Sequence, residues 1–362
     1  MTALKERIAG LIAAAGPIGV ADYMALCLFD PEHGYYTTRE PFGVAGDFTT
    51  APEIGQMFGE LVGVWLYDCW AAAGRPAGTV LAEIGPGRGT LMKDIVRTLY
   101  KVAPAFVRQT RFELVETSPR LRETQRATLA DSLPDFAWHE SVATLPDGPL
   151  FIVGNELFDA LPVRQFVRTD AGWRERVVGL TEAGELQFVA GAAGLDPALL
   201  PAGAASAAEG AIFEVAPARE ALMETIAGRI AGSGGAGLFF DYGHAETAIG
   251  DTLQALRAHR YDDVLAHPGE ADITSHVDFE RLAQAARRQG LAAHLMTQGD
   301  FLIEQGLLQR AGSLGAGKDE AMQQRLRAEV ERLAGPEQMG ALFKVLAVLP
   351  RGLTIFPFPP AD

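Results

Sequence analysis

Cysteine is scarce in this chain: two in 362 residues, Cys27 and Cys69, far apart and in no C-x-x-C arrangement. That excludes a disulfide framework and argues against a zinc site built on thiolates, so no metal is expected. Both cysteines lie in apolar, helix-like surroundings and read as core residues. No apolar run approaches the roughly 20 residues of a membrane span. The N-terminus carries acid and base in its first turns and has no signal-peptide core, which makes the cytoplasm the expected location. Positive charge is also short, with Lys plus Arg at 31 against Asp plus Glu at 46 and a formal charge of −15. Such a balance repels phosphate backbones, so nucleic acid is not an expected partner. It suits a basic protein substrate, although acidity also serves solubility alone. No internal repeat is visible. A composition 48% hydrophobic and 21% charged is that of a globular protein, long enough for a main domain with additions.

Periodicity orders what is present. Residues 2–15 form an amphipathic helical pattern broken at Gly16-Pro17. Asp30 to Pro52 is rich in Gly, Pro, Thr and aromatics and reads as an ordered surface loop of the kind that often carries function. Pro52 suits the first turn of a helix, and Ile54, Phe58, Leu61, Val62, Trp65, Leu66 and Cys69 recur at helical spacing. From Thr79, strands alternate with helices: strands at 80–84, 111–116, 136–138 and 150–154, helices at 91–100 and 120–129. That alternation implies a parallel sheet covered on both faces. It stops at Pro162, where 163–167, 173–178 and 186–189 look like antiparallel hairpins, followed by a low-complexity stretch (192–210) that reads as a mobile linker. A helix near 217–231 and strands at 237–241, 291–296 and 343–349 complete the pattern.

The strongest chemical signal is Leu81-Ala82-Glu83-Ile84-Gly85-Pro86-Gly87-Arg88-Gly89-Thr90, an apolar strand ending in an acid, then a G-x-G-x-G turn opening a helix. Small residues let the backbone approach a bulky ligand, and the helix N-terminus offers free N–H donors. In the dinucleotide fingerprint G-x-G-x-x-G those donors receive a pyrophosphate. Here the third glycine is Gly89 and position 90 is Thr. Glu83 would sit badly beside a pyrophosphate and well beside the α-ammonium of a methionyl group. The loop therefore has the form found in S-adenosylmethionine (SAM)-dependent methyltransferases, with a purely structural tight turn as the plain alternative. Glu116 ends the next strand, where a carboxylate can accept both hydroxyls of a ribose. Asn155, Glu156 and Asp159 follow the 150–154 strand, at the sheet edge where ligands of doubly wound folds sit. Two carboxylates and an amide there could orient a nucleophilic nitrogen and balance its charge. Phe239-Phe240-Asp241-Tyr242-Gly243-His244 ends a further strand and adds Asp241.

Together these segments resemble the MidA-type class I methyltransferases, whose mitochondrial members are complex I assembly factors. The likeness runs almost end to end: Gly34-Tyr35-Tyr36, Gly46-Asp47-Phe48-Thr49-Thr50, Phe58-Gly59-Glu60-Leu61, the 83–91 loop, Glu116, Glu156-Leu157-Phe158-Asp159, Leu161-Pro162-Val163, Asp241-Tyr242-Gly243-His244, Ala271-Asp272-Ile273-Thr274 and Val277-Asp278-Phe279. The resemblance implies SAM as cofactor and a protein arginine as acceptor. In the family the product is a symmetrically dimethylated arginine on a core hydrophilic-arm subunit of respiratory complex I. The absence of a transit peptide makes the chain look like a bacterial member.

The resulting expectation is a Rossmann-like, seven-stranded, mainly parallel α/β sheet. Residues 1–78 form an N-terminal helical extension with a substrate loop, 79–162 and 236–362 the SAM-binding domain, and 163–235 an inserted hairpin and linker region. Gly85, Pro86, Gly87 and Gly89 would carry SAM, with Glu83 at its amino group, Glu116 at the ribose, and residues 138–142, Ser141 among them, at the adenine. Glu156, Asp159, Asn155 and Asp241 are the catalytic candidates, and the acceptor would enter between residues 48–53 and 155–159. The alternatives are a small-molecule methyltransferase and an assembly chaperone that keeps SAM as a structural ligand, with a nicotinamide oxidoreductase behind both. The oligomeric state, a homodimer included, stays open.

Overall fold

The computed structural model describes residues 2–38, 50–201 and 203–359. The chain divides into two compact units. The first draws on residues 1–48, 158–220 and 246–278, and the second on 49–157, 221–245 and 279–362.

The second unit is built on seven strands: Val80–Ile84 (β1), Arg111–Val115 (β2), Phe136–His139 (β3), Leu150–Asn155 (β4), Gly235–His244 (β5), Leu291–Thr297 (β6) and Phe343–Pro350 (β7). They lie in the order β6-β7-β5-β4-β1-β2-β3. β1 pairs in parallel with β2 and β4, and β4 with β5, whereas β7 runs antiparallel to both β5 and β6. Every residue of β1 and β4 is buried, so apart from Glu83 and Asn155 these strands read as continuous apolar runs rather than as alternation. The register sets Ile84 level with Val115 and Gly154, and Asn155 level with Phe240. The segments following β1, β2 and β4 therefore leave one edge of the sheet, the edge that carries ligands in open α/β folds.

Two helices support that edge. The helix Thr90–Val102 buries Leu91, Met92, Ile95, Val96 and Leu99 at a three-to-four-residue spacing. It packs on the helix Gln56–Ala72 through Gly59 and Gly63, where an added Cβ would stand 2.6 Å from the Asp94 Cβ and 3.3 Å from the Ile95 Cα. The helix expected from Pro52 onward is two helices, Ala51–Ile54 and Gln56–Ala72. Gly55 separates them in extended conformation, with the Glu329 carboxylate occupying the place of a side chain.

In the first unit, Ile18–Gly19, Gly172–Leu180, Arg164–Thr169 and Ile212–Val215 form an antiparallel sheet, with Leu186–Gly194 also on Gly172–Leu180. Arg164 grips Glu175 across two strands with bonds of 2.8 and 2.9 Å. A smaller sheet joins Gln254–Arg257, Arg260–Asp262 and Asp272–Thr274. The 192–210 stretch, expected to be a mobile linker, continues the Leu186–Gly194 strand and makes 3-10 turns at Pro197–Leu199 and Ala204–Ser206. Its small residues serve packing: Ala204 is buried with Phe166, Trp173 and Phe213. Of the expected surface loop, Tyr35–Thr38 is a short helix. The Gly46–Thr49 part of that loop lies outside the described residues.

Candidate active site

The glycine turn after β1 can be made by no other residue type without strain. Gly85, Gly87 and Gly89 have φ of 65°, 51° and 84°, the left-handed region in which a Cβ collides with backbone. The Gly89 N–H donates to the Pro86 carbonyl at 2.7 Å and closes the turn, while the Gly85 N–H bonds the Val115 carbonyl at 3.0 Å and holds the turn to β2. A Cβ on Gly85 would meet Leu157 at 3.0 Å, so the turn lies close beside the segment after β4. Gly89 then caps the helix Thr90–Val102 without a side chain of its own, and the Met92 N–H of the first turn donates to the Glu83 carboxyl.

Acids surround this turn. Glu83 is 2% exposed, and its Oε2 has no hydrogen-bond partner among the described residues. Burial pushes its carboxyl well above the usual carboxylate range. An ammonium group placed there would favour the ionised carboxylate and supply the donor that Oε2 lacks. At the start of the following helix, Glu53 accepts from the Thr90 hydroxyl at 2.5 Å and stands 3.7 Å from the Arg88 guanidinium. Two carboxylates flanking the turn oppose a pyrophosphate and suit a ligand that carries an ammonium group. The donor set fits SAM, and it disfavours the dinucleotide alternative.

Glu116 continues past the end of β2. Its Oε1 accepts from the Ser118 N–H at 2.8 Å, and its Oε2 from the Gln125 amide at 3.1 Å. Burial raises its pKa, and the hydrogen bonds from Ser118, Gln125 and Thr117 pull it back. Each carboxylate oxygen keeps further acceptor capacity for a ribose hydroxyl. After β3, Ser141 is exposed and its hydroxyl accepts from the Ala143 N–H at 3.2 Å, starting a 3-10 turn. Arg229 holds that turn from outside by donating to the carbonyls of Val142, Leu145 and Pro146.

After β4, Glu156 has φ of 51°, a left-handed backbone on a residue with a side chain. Such a conformation costs on the order of 1 kcal/mol or more and persists only where the surroundings impose it. The Glu156 N–H donates to the Phe240 carbonyl at 2.8 Å, and the Leu157 N–H to Asp241 Oδ2 at 3.1 Å. Asp241 is fully buried, and its Oδ1 accepts from the Tyr242 N–H at 3.0 Å. The Asn155 amide donates to Glu156 Oε1 at 3.0 Å, and the Ala51 N–H reaches the same oxygen at 3.4 Å. Asn155 Oδ1 is buried without a partner among the described residues. Asn155, Glu156 and Asp241 thus meet beside Gly85, with Asp241 fastening the turn that aims Glu156.

Asp159 belongs to the first unit, where it is 5% exposed. Its carbonyl accepts from Arg219 at 3.1 Å and from the Ser275 N–H at 3.2 Å. Arg219, 2% exposed, also donates to the carbonyls of Leu161 and His276 and to the Ser275 hydroxyl. Among the described residues no group of three or more His, Cys, Asp or Glu could hold a metal. No helix among them is long and apolar enough to cross a membrane.

Strand order, glycine turn and flanking acids define a class I, SAM-binding methyltransferase. The comparison with known proteins agrees: residues 61–297 match the sequence model of a family of putative S-adenosyl-L-methionine-dependent methyltransferases, and the chain belongs to that family. It is 35% identical over 371 residues to the mitochondrial protein arginine methyltransferase NDUFAF7 of Danio rerio, covering 96% of this chain and 86% of that protein. The Homo sapiens protein of the same name is 34% identical over 376 residues, covering 97% and 84%. A COG1565 superfamily member from Burkholderia thailandensis, solved with S-adenosyl-homocysteine bound, superposes with a TM-score of 0.81 at 29% identity, over 97% of this chain and 92% of that one. SAM is therefore the cofactor, and the chain is a methyltransferase. The cytoplasmic location expected from the sequence is overturned by these relatives, which are mitochondrial by name. Composition and an N-terminus without a signal core carry no information on that point.

Proposed function

We propose that this chain transfers methyl groups from SAM to the guanidinium of an arginine in a protein, one to each terminal nitrogen, on a core hydrophilic-arm subunit of respiratory complex I. The curated relatives support the arginine, being named protein arginine methyltransferases. The observation that carries the reading is Glu156: a carboxylate on a left-handed backbone, set beside the glycine turn by the Phe240 carbonyl and Asp241.

The transfer is a displacement. A guanidinium nitrogen forms the new N–C bond, the S–C bond breaks, S-adenosylhomocysteine leaves, and the nitrogen gives up a proton that passes to solvent. SAM supplies an activated methyl on a sulfonium, so the residues mainly have to align the nucleophile. Glu156 holds the guanidinium through charge-assisted bonds and offsets charge as the nitrogen reacts. Asn155 restrains the Glu156 carboxylate, and Asp159 is the second carboxylate assigned to the acceptor. Glu83 and Glu116 stay with the cofactor.

Glu156→Gln keeps the shape and removes the charge. It should bind S-adenosylhomocysteine as wild type does and lose about 10²-fold or more in methyl transfer to an arginine-bearing complex I subunit or peptide. Asp159→Asn should act in the same direction. Wild-type turnover by Glu156→Gln would move the acceptor to other acids, Glu53 first. Transfer to small molecules with none to protein would replace the arginine reading, and binding without any transfer would point to an assembly chaperone.

A further inference from the structure

We propose that Gln125 is a positioning residue of the cofactor site: its single side-chain amide ties the glycine turn, Glu116 and Trp138 into one frame. Gln125 lies on the helix Pro119–Leu129, where Leu121, Gln125 and Leu129 are the buried positions, and it is fully buried. Its two amide protons go to the Gly87 carbonyl at 2.8 Å and to Glu116 Oε2 at 3.1 Å. Its Oε1 accepts from the Trp138 indole N–H at 2.9 Å. Gly89 packs against its stem, with the place of a Cβ there 3.5 Å from the Gln125 Cγ.

A buried amide is unfavourable unless its hydrogen bonds are made, and here both donors and the acceptor are used. A leucine would have continued the apolar face of the helix at no such cost. What the amide adds is a fixed relation between two elements that come from different strands. The Gly87 carbonyl belongs to the turn after β1, and Glu116 to the end of β2. Sliding of one against the other breaks one of these bonds, and the bond to Glu116 is buried.

The second contribution is electrostatic. The donors to the Glu116 carboxylate are the N–H groups of Ser118 and Thr117 and the Gln125 amide. Of the nearby cations, Arg122 adds its charge to these donors and also lowers the Glu116 pKa, but its hydrogen bonds go elsewhere, and the others are engaged with other groups. Arg122 donates to the Glu116 carbonyl and pairs with Glu140, Arg126 stacks on the Trp138 ring, and Arg88 faces Glu53. His139 on β3 is taken by Glu113. With burial pushing Glu116 towards its neutral form, the Gln125 donor helps keep it an anion able to accept from the ribose.

This inference rests on Glu116 being the ribose acceptor, and the experiment separates the two. S-adenosylhomocysteine binding to the full chain is measured by calorimetry from pH 6 to 8 for wild type, Gln125→Met, Gln125→Glu and Glu116→Gln. Wild type should be nearly flat. Gln125→Met removes both donors, so affinity should fall about tenfold at pH 8 and further towards pH 6, as Glu116 takes up a proton more readily. Gln125→Glu should show the opposite slope: the introduced carboxyl, once protonated, can again donate to Glu116, so affinity recovers as the pH falls. If Gln125→Met does not fold, the slope of Gln125→Glu carries the test. Affinity lost with no change of slope in either variant would mean that Gln125 only packs, and overturns the proposal. Wild-type affinity in both variants overturns it as well. If Glu116→Gln binds as wild type does, the ribose assignment fails and takes this inference with it. If Glu116→Gln is weakened while Gln125→Met is not, only the Gln125 inference fails.

Discussion

Gly87 has neighbours on both sides that also need left-handed backbone, so the turn from Gly85 to Gly89 has little room to redistribute strain. A valine at Gly87 would carry a branched Cβ at φ of 51°, and its methyls would stand where a ligand must approach the backbone. Gly87→Val should abolish S-adenosylhomocysteine binding in calorimetry while far-ultraviolet circular dichroism stays that of the wild type. Undiminished binding would remove the turn from the site. Asp94 offers a residue-scale test of electrostatics. Burial pushes it up to about 6, against the pull of Arg97 at 3.0 Å and with Glu60 adding to the rise. Its folded pKa thus lies above the unfolded value. The stability it lends is full below the unfolded pKa and is lost as pH rises through about 6. Asp94→Asn does not titrate, so its melting temperature relative to wild type should climb between pH 4 and 6.5 and then level off. The total is at most about 3 kcal/mol. A difference constant with pH would mean that Asp94 titrates normally.

At the scale of elements, the two helices behind the glycine turn are held together by what they lack. Alanine is favoured over glycine in a helix interior by about 1 kcal/mol. At Gly59 the added Cβ would come 2.6 Å from the Asp94 Cβ, and overpacking of that kind costs roughly 1–3 kcal/mol. Gly10, in the helix Ala3–Ala15, has nothing within 4 Å of the same position. Gly59→Ala should therefore lower the denaturant midpoint and weaken cofactor binding, because Leu91 and Asp94 belong to the helix that starts at the turn. Gly10→Ala should raise the midpoint slightly. Equal shifts of one sign would show that propensity, not packing, decides both sites. The same scale explains why the Gly172–Leu180 strand recruits Ile18–Gly19: a short strand gains its hydrogen bonds from a sheet edge that is already formed.

For the whole molecule, the ligand is expected to act on the unit that holds the glycine turn. S-adenosylhomocysteine at a hundred times its Kd should add about 2.7 kcal/mol to the stability of whatever unfolds with the site. At roughly 2–4 °C per kcal/mol for a unit of this size, that is an upward shift of about 5–10 °C. Hydrogen exchange should slow in 84–90, 115–125 and 150–157. Equal slowing throughout 164–194 with no change around 84–90 would place the ligand elsewhere. The net charge of −15 adds a long-range preference for a basic acceptor, and this attraction should weaken with salt.

Features with a local cause were legible in the sequence alone. The alternation of apolar strands with amphipathic helices follows from side-chain periodicity, and it placed β1 to β4 within a residue or two. The glycine turn was legible because positive φ and close approach both demand glycine in a short window. Glu116 could be singled out by its place at the end of a strand. The features decided by tertiary structure depend on partners distant in sequence. The antiparallel direction of β7 is set by β5 and β6, whose residues lie far back along the chain. The left-handed backbone of Glu156 is imposed by Phe240 and Asp241, more than eighty residues on, and no property of a glutamate foretells it. The 192–210 stretch has a linker's composition, but its alanines are small enough to fill a core that larger residues have shaped. Gln125 left one faint trace, a polar residue between Leu121 and Leu129 on the buried face of a helix. Which groups it joins is fixed only when the turn after β1, the end of β2 and Trp138 of β3 are brought around it.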